Sequence, residues 1–320
     1  MKWHPVELHT HTQHSDGDFT VSELVHAAKQ RGFHAVCLSD HNTMSGLPEL
    51  YEAAQGEHIV PIPAIEWTTY WGHMLVLDEH GYTDWRGVRP EQIDAAIASI
   101  HRNQGLVGIA HPFALDNPVN TGYHWNFQVT DWEEIDFLEV WSRDYAPCKI
   151  QSFRALHLWE TLLARGFHIT ATSGRDWHRE DTFHYAHTYV LAAKNLTKES
   201  ILRALKAGRV CLSAGPLLTM KGSLPDGTHV QVGDTIGAGI LELELDLDEW
   251  TMPNDWEKTA VIPKEIQLVQ NGEILCRLAP ETSQLIRLNA VPGWLRADLT
   301  GTYYGKKDQK IALTNPIYIN

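Results

Sequence analysis

Cysteine is scarce in this chain: Cys37, Cys148, Cys211 and Cys276 are the only four among 320 residues, and none forms a Cys-x-x-Cys pair. Such wide spacing argues against a disulfide framework or a zinc finger. Buried reduced thiols are the better reading, because Cys37 and Cys211 lie in apolar runs. Long apolar runs are missing too. None approaches the roughly 20 residues of a membrane-spanning helix, so no membrane partner is expected. Met1-Lys2-Trp3-His4-Pro5 lacks the basic-then-apolar layout of a signal peptide, and the expected location is cytoplasmic. Positive charge is also short, with 26 Lys and Arg against 40 Asp and Glu and a net charge of −14. Without a basic cluster, no stable nucleic-acid complex is expected. An anionic small-molecule substrate stays open, because bound divalent cations would reverse the local field. No repeat or low-complexity segment is present.

Histidine, in contrast, is abundant, at 19 residues. Neutral imidazole is the commonest metal-ligand side chain, so the positions of these residues decide whether the excess is chemistry.

The first 212 residues alternate short apolar runs with helical patterns. Strands are expected at Val6–Leu8, Ala35–Leu38, Ile59–Ile65, His73–Leu77, Leu106–Ala110, Ile135–Trp141, His168–Thr172 and Thr188–Ala192. Helices are expected at Ser22–Arg31 with Ser22 as N-cap, Leu47–Gln55, Pro90–Asn103, Gln151–Arg165 and Thr197–Ala207. Strand-helix alternation of this length predicts an α/β fold with a parallel sheet closed into a barrel. From Ser213 to Asn320 the pattern changes. Leu241–Leu247 alternates strictly, and Asn271-Gly272 is a hairpin turn between two short strands. Trp294–Leu299 and Lys310–Leu313 complete the set, which predicts a small β-sandwich over 213–320 following a barrel domain over 1–212.

The expected barrel strands run repeatedly into a histidine or an acid: Leu8 into His9-Thr10-His11, Ser39 into Asp40-His41, Ile65 into Glu66, Ala110 into His111, and Gly174 toward Asp176-Trp177-His178. C-terminal strand ends of an α/β barrel converge on one rim, so these side chains are expected to meet. A single His-x-His carries little weight, but the joint pattern is specific. His26, His101 and His157 fall on helical segments and are discounted. Trp67, Trp71 and Trp177 neighbour the proposed ligands and are expected to line a substrate pocket.

The chain here resembles the PHP (polymerase and histidinol phosphatase) metal-dependent phosphoesterases. The matching stretches are Leu8–Thr12 with Ser15-Asp16-Gly17, Leu38–Thr43, Ala64-Ile65-Glu66, Ala110-His111-Pro112 and Ser173–His178. Trp71-Gly72-His73 and the β-rich tail resemble its carbaryl-hydrolase-like (CehA/McbA-like) branch. The resemblance implies a distorted (β/α)7 barrel holding two or three divalent ions. It implies that His9, His11, Glu66 and Asp176 hold the first, that Glu66, His73 and His111 hold the second, and that Asp16, His41 and His178 hold a third. His73 is the odd member, because it opens a strand where the others follow one. Asp40 would accept the free ring N–H of a ligand histidine.

Mixed histidine and carboxylate ligation suits Zn, Mn or Fe. The expected activity is hydrolysis of a small phosphate mono- or diester by a metal-bound hydroxide at a di- or trinuclear site. Glu66 and Asp176 would serve at the reacting centre, and Arg175, then Arg143, would clamp the phosphate. Glu139 would orient a bound water or serve only the fold. A metal-dependent carboxylic or carbamate ester or amide hydrolase is the alternative. A non-catalytic metal-binding module is the third reading.

Overall fold

The computed structural model describes residues 1–115, 122–248 and 260–320. The first half alternates β1 (Lys2–Glu7), α1 (Val21–Gln30), β2 (Ala35–Leu38), α2 (Leu47–Glu57), β3 (Val60–Thr69), β4 (Gly72–Leu77), α3 (Ile93–Arg102), β5 (Leu106–Ile109), β6 (Phe137–Ser142), α4 (Ile150–Ala164), β7 (Thr170–Gly174), β8 (His187–Ala192), α5 (Lys198–Lys206) and β9 (Val210–Ser213). Helix α1 starts one residue before its expected cap. Thr20, not Ser22, caps it, because Glu23 lies three residues on and completes a capping box. Thr197 caps α5 as expected.

The sheet is not uniformly parallel. β1, β2 and β3 pair in parallel, as do β5, β6 and β7, but β4 runs antiparallel to both β3 and β5. Only Tyr70 and Trp71 separate β3 from β4, too short a link for a parallel crossover. β8 is likewise reversed against β1 and β9. No backbone ladder joins β7 to β8, yet the two touch. Side chains stitch that seam. Thr188 Oγ1 accepts from Ser173 N and donates to Ser173 O, both at 2.8 Å. Beside it, Asn315 bridges β7 to β9, accepting from Ala171 N at 2.8 Å and donating to the carbonyls of Ala171 and Val210. An amide side chain thus replaces a strand's hydrogen bonds there.

The remaining strands are β10 (Leu217–Ser223), β11 (His229–Gln231), β12 (Thr235–Ile236), β13 (Gly239–Asp248), β14 (Val261–Gln270), β15 (Glu273–Leu278), β16 (Ser283–Ala290), β17 (Gly293–Tyr303), β18 (Lys306–Thr314) and β19 (Ile317–Ile319). Among the described residues no helix follows α5. β11, β10, β13 and β16 form a four-stranded antiparallel sheet, and β10 packs against β17 and β18. Hydrogen bonding is continuous across position 212, because β9 pairs both β8 and β18. The four cysteines are free, and Cys37 and Cys211 are buried.

One charged cluster ties the two parts together. Arg296, fully buried on β17 between the rings of Trp159 and Trp294, donates to Asp298 at 2.8 and 3.0 Å and to Glu160 on α4. Lys310 also reaches Asp298. Burial opposes charge on Asp298, but Arg296 and Lys310 outweigh it and bring the carboxyl down to about 2. A carboxyl depressed in this way adds stability that is complete above its unfolded value near 3.9 and lost as pH falls toward about 2. Asp298→Asn should therefore cost about 3–5 kcal/mol near neutral pH, because it leaves a buried guanidinium short of charge. It should also flatten the acid limb of the stability profile, as read by urea unfolding between pH 2 and 7.

Candidate metal centre

Each strand delivers its residue to one rim. His9 and His11 follow β1, His41 follows β2, Glu66 lies in β3, His111 follows β5, and Asp176 and His178 follow β7. His73, at the start of β4, reaches the same rim because β4 runs the other way. The backbone cooperates: His111, Arg143 and Asp176 hold φ of 25°, 64° and 51°. Positive φ in a non-glycine residue costs about 1–3 kcal/mol and is tolerated where function or surroundings demand it.

The side chains converge. Ligand atoms of His9, His11, Glu66 and Asp176 lie within 4.8 Å of one another, as do those of His11, Asp16, His41 and His178, and those of His41, Glu66 and His73. The first group has the same four residues as the first expected set. The second adds His11 to the third expected set. The third substitutes His41 for His111, but His111 Nε2 still sits 3.1 Å from Glu66 Oε1.

Glu66 is fully buried, and its carboxylate contacts His9, His11, His41, His73 and His111 at 2.9–3.3 Å. Burial resists its ionisation, but the surrounding imidazoles win and hold the carboxyl well below its ordinary range. Asp176 is depressed too: burial opposes charge, and Arg143 and His9 override it. Burial also opposes charge on His41, but Asp16 and Glu66 raise it to about 10. His11, wholly buried, falls to about 4.

A divalent cation fits this donor set. His9 Nε2, both ring nitrogens of His11, Glu66 Oε2 and His111 Nδ1 are buried and make no hydrogen bond, despite their close contacts. Each unsatisfied buried polar atom costs about 1–3 kcal/mol. Lone pairs directed at a cation would remove that cost, and imidazole with carboxylate suits Zn, Mn or Fe.

Two expected roles fall elsewhere. Arg175 is 1% exposed and stacks between Trp177 and Tyr185, at 4.3 and 3.7 Å to the ring centroids, so its charge is spent inside the fold. Arg143 takes the prominent place. Its Nε and Nη2 grip Asp176 Oδ2 at 2.7 Å each, and its side chain is 41% exposed. Among the described residues Asp40 accepts no ring N–H. It accepts instead from Thr12 N, Thr12 Oγ1 and Ser15 Oγ at 2.6–2.7 Å, ordering the turn that carries Asp16.

Beside the cluster lies a cavity of about 220 Å³, walled by His111, Glu139, Arg143 and Lys149 on its polar side and by Phe113 and Leu115 on its apolar side. Trp67, Trp71 and Trp177 do not line it; Trp67 and Trp177 are buried. Tyr123 was not anticipated. Its ring lies 5.1 Å from that of His73, 5.9 Å from that of His111 and 5.3 Å from the Arg143 guanidinium. No spacing pattern marks it, because it arrives on an irregular segment. Glu139, a lone acid in the apolar run Phe137–Trp141, did carry a signal: a buried carboxylate needs donors.

The PHP-domain family model matches residues 7–136. The chain carries a PHP domain. The matched PHP segment contains His9, His11, Asp16, His41, Glu66, His73 and His111, and it ends before Asp176 and His178. A stretch of 63 residues is 48% identical to the PolC-type DNA polymerase III of Thermotoga petrophila, covering 19% of this chain and 5% of that protein. Over 65 residues the chain is also 38% identical to a 5′-3′ exoribonuclease of Haemophilus influenzae, covering 20% of this chain and 24% of that one. The chain thus spans only a small part of the curated relatives it matches. In overall fold it is similar to a two-domain protein from Bacteroides vulgatus described as containing a predicted PHP-like metal-dependent phosphoesterase. That likeness covers 99% of this chain and 95% of the other, with a TM-score of 0.56 and 15% identity.

Asp40→Ala should lower stability by about 1–3 kcal/mol for each donor left without a partner. Chemical denaturation of the metal-free protein measures this loss, and wild-type stability in the variant would contradict the role given to Asp40.

Proposed function

We propose that this protein is a metal-dependent phosphoesterase that hydrolyses a small phosphate mono- or diester. The observation that carries the reading is the convergence of three overlapping ligand sets, two of which share Glu66, beside a cavity walled by Arg143 and Lys149. His9, His11, Glu66 and Asp176 would hold one ion, Glu66, His73 and His111 a second, and Asp16, His41 and His178 a third. Ions held there would lower the pKa of water to about 7 and polarise a phosphoryl oxygen.

The chain's own groups do the rest. Arg143 neutralises Asp176 and presents the remainder of its guanidinium toward the cavity, where an ester oxygen would be held. Lys149 adds a second cation, though Asp144 already pairs with it at 3.2 Å. The apolar wall of Phe113 and Leu115 would hold the leaving group. We assign residues 213–320 to a supporting domain that braces the seam and the rim.

A second reading has its own support. Both cavity cations are already paired with acids, and one wall is apolar. These features suit a neutral carboxylic or carbamate ester or an amide. Assays against p-nitrophenyl phosphate, bis-p-nitrophenyl phosphate and a naphthyl carbamate separate the two, and turnover of the carbamate alone would replace the first reading with the second. Asp176→Ala should abolish turnover in a folded protein. Arg143→Ala should lower kcat/KM by about 10–100-fold, the worth of a hydrogen bond to a charged group. Arg175→Ala should lower stability with a smaller effect on kcat/KM, and the reverse ranking of the two arginines would refute their assignment.

A further inference from the structure

We propose that Glu139 is a positioning residue that fixes His9 and His111 for metal binding, and that Gly174 is glycine in order to leave it room. The proposal rests on the metal-centre reading above but not on the choice of substrate.

Glu139 lies within β6 and is 1% exposed. Its Oε1 accepts from His9 Nδ1 at 2.8 Å, and its Oε2 accepts from the backbone N–H of His111 at 2.9 Å. With the carboxylate oxygen as acceptor, the proton in the first bond belongs to His9 Nδ1. His9 Nε2 is then the atom that offers a lone pair when the ring is neutral. That atom is buried without a hydrogen bond, 3.3 Å from Glu66 Oε1 and 3.4 Å from Asp176 Oδ1. The second bond anchors the main chain of His111 where φ is +25°, a conformation that needs outside support in a non-glycine residue. A single carboxylate therefore sets the tautomer of one ligand and the backbone of another.

Gly174, the last residue of β7, makes this geometry possible. A Cβ there would stand 1.9 Å from Glu139 Oε1 and 2.8 Å from the Cβ of His9. Glu139 could yield only by giving up its bonds to His9 Nδ1 and His111 N. Gly174 does not occupy the left-handed region, so the position demands space and not a special backbone angle. With each oxygen engaged by a protein donor, Glu139 acts through His9 and His111.

Full-length wild type, Glu139→Gln and Gly174→Ala are titrated with Zn²⁺ or Mn²⁺ against a competing chelator, and apo-protein melting is recorded alongside. Glu139→Gln cannot accept from both donors, because one oxygen becomes an NH₂. Its affinity should fall about 10–100-fold, with apo melting close to wild type, and Gly174→Ala should move affinity the same way. Ring ¹⁵N spectra of wild type, with His9 assigned against His9→Gln, should place the His9 proton on Nδ1; this measurement does not need the Glu139 or Gly174 variants to fold. Unchanged affinity in Glu139→Gln, or a His9 proton on Nε2, would overturn the proposal. A wild type that binds neither ion would overturn the metal centre along with it. Metal binding weakened by Glu139→Gln in a protein that cleaves no phosphate ester would uphold Glu139 and remove the phosphoesterase reading.

Discussion

A carboxylate buried from solvent, Glu66, with five imidazoles around it, is the constraint on which the molecule turns. An isolated charge in such a place would be costly enough to neutralise itself. It persists because positive charge surrounds it, from protonated histidines or from cations that the same histidines hold. Six strands are needed to bring the candidate ligands together: β1, β2, β3, β4, β5 and β7. The direction of β4 decides whether His73 joins them. The unusual backbone angles at His111, Arg143 and Asp176 gather on this rim, where local stability gives way to placement.

The C-terminal strands are part of the same construction. Asn315 supplies hydrogen bonds between β7 and β9, and Arg296 ties β17 to α4. Tyr303, at the end of β17, bonds the Nδ1 of His184, and the carbonyl of His184 accepts from Tyr145 N at 2.7 Å. The segment holding Arg143 and Lys149 is thus braced from the far end of the chain. Polar groups in these junctions are satisfied by specific partners, so they fix one arrangement of the two parts where apolar packing alone would allow several.

Much of this was legible in the residues. Alternation and capping located the five helices and the strands β1–β8, with ends shifted by up to four residues, but β9–β12, β16 and β19 carried no pattern clear enough to read. The His-x-His, Asp-His and Asp-x-His pairs pointed to the rim because strand ends place successive side chains predictably. Direction was harder: a two-residue link between β3 and β4 forces an antiparallel pair, and apolar runs look the same whichever way they travel. Arg175 and Arg143 show another limit. Both flank rim residues, but one turns inward between two aromatic rings and the other outward to the cavity, and side-chain direction at an irregular strand end has no period to read.

The sequence by itself determined which residue types gather at the strand ends and that their chemistry suits divalent cations, because strand periodicity and ligand chemistry are local properties. Only the tertiary structure decided which arginine faces the cavity, that Asp40 serves a turn, and that Glu139 reaches His9 across the space left by Gly174. Those outcomes depend on contacts between residues distant along the chain, where the missing volume of one side chain sets the position of another.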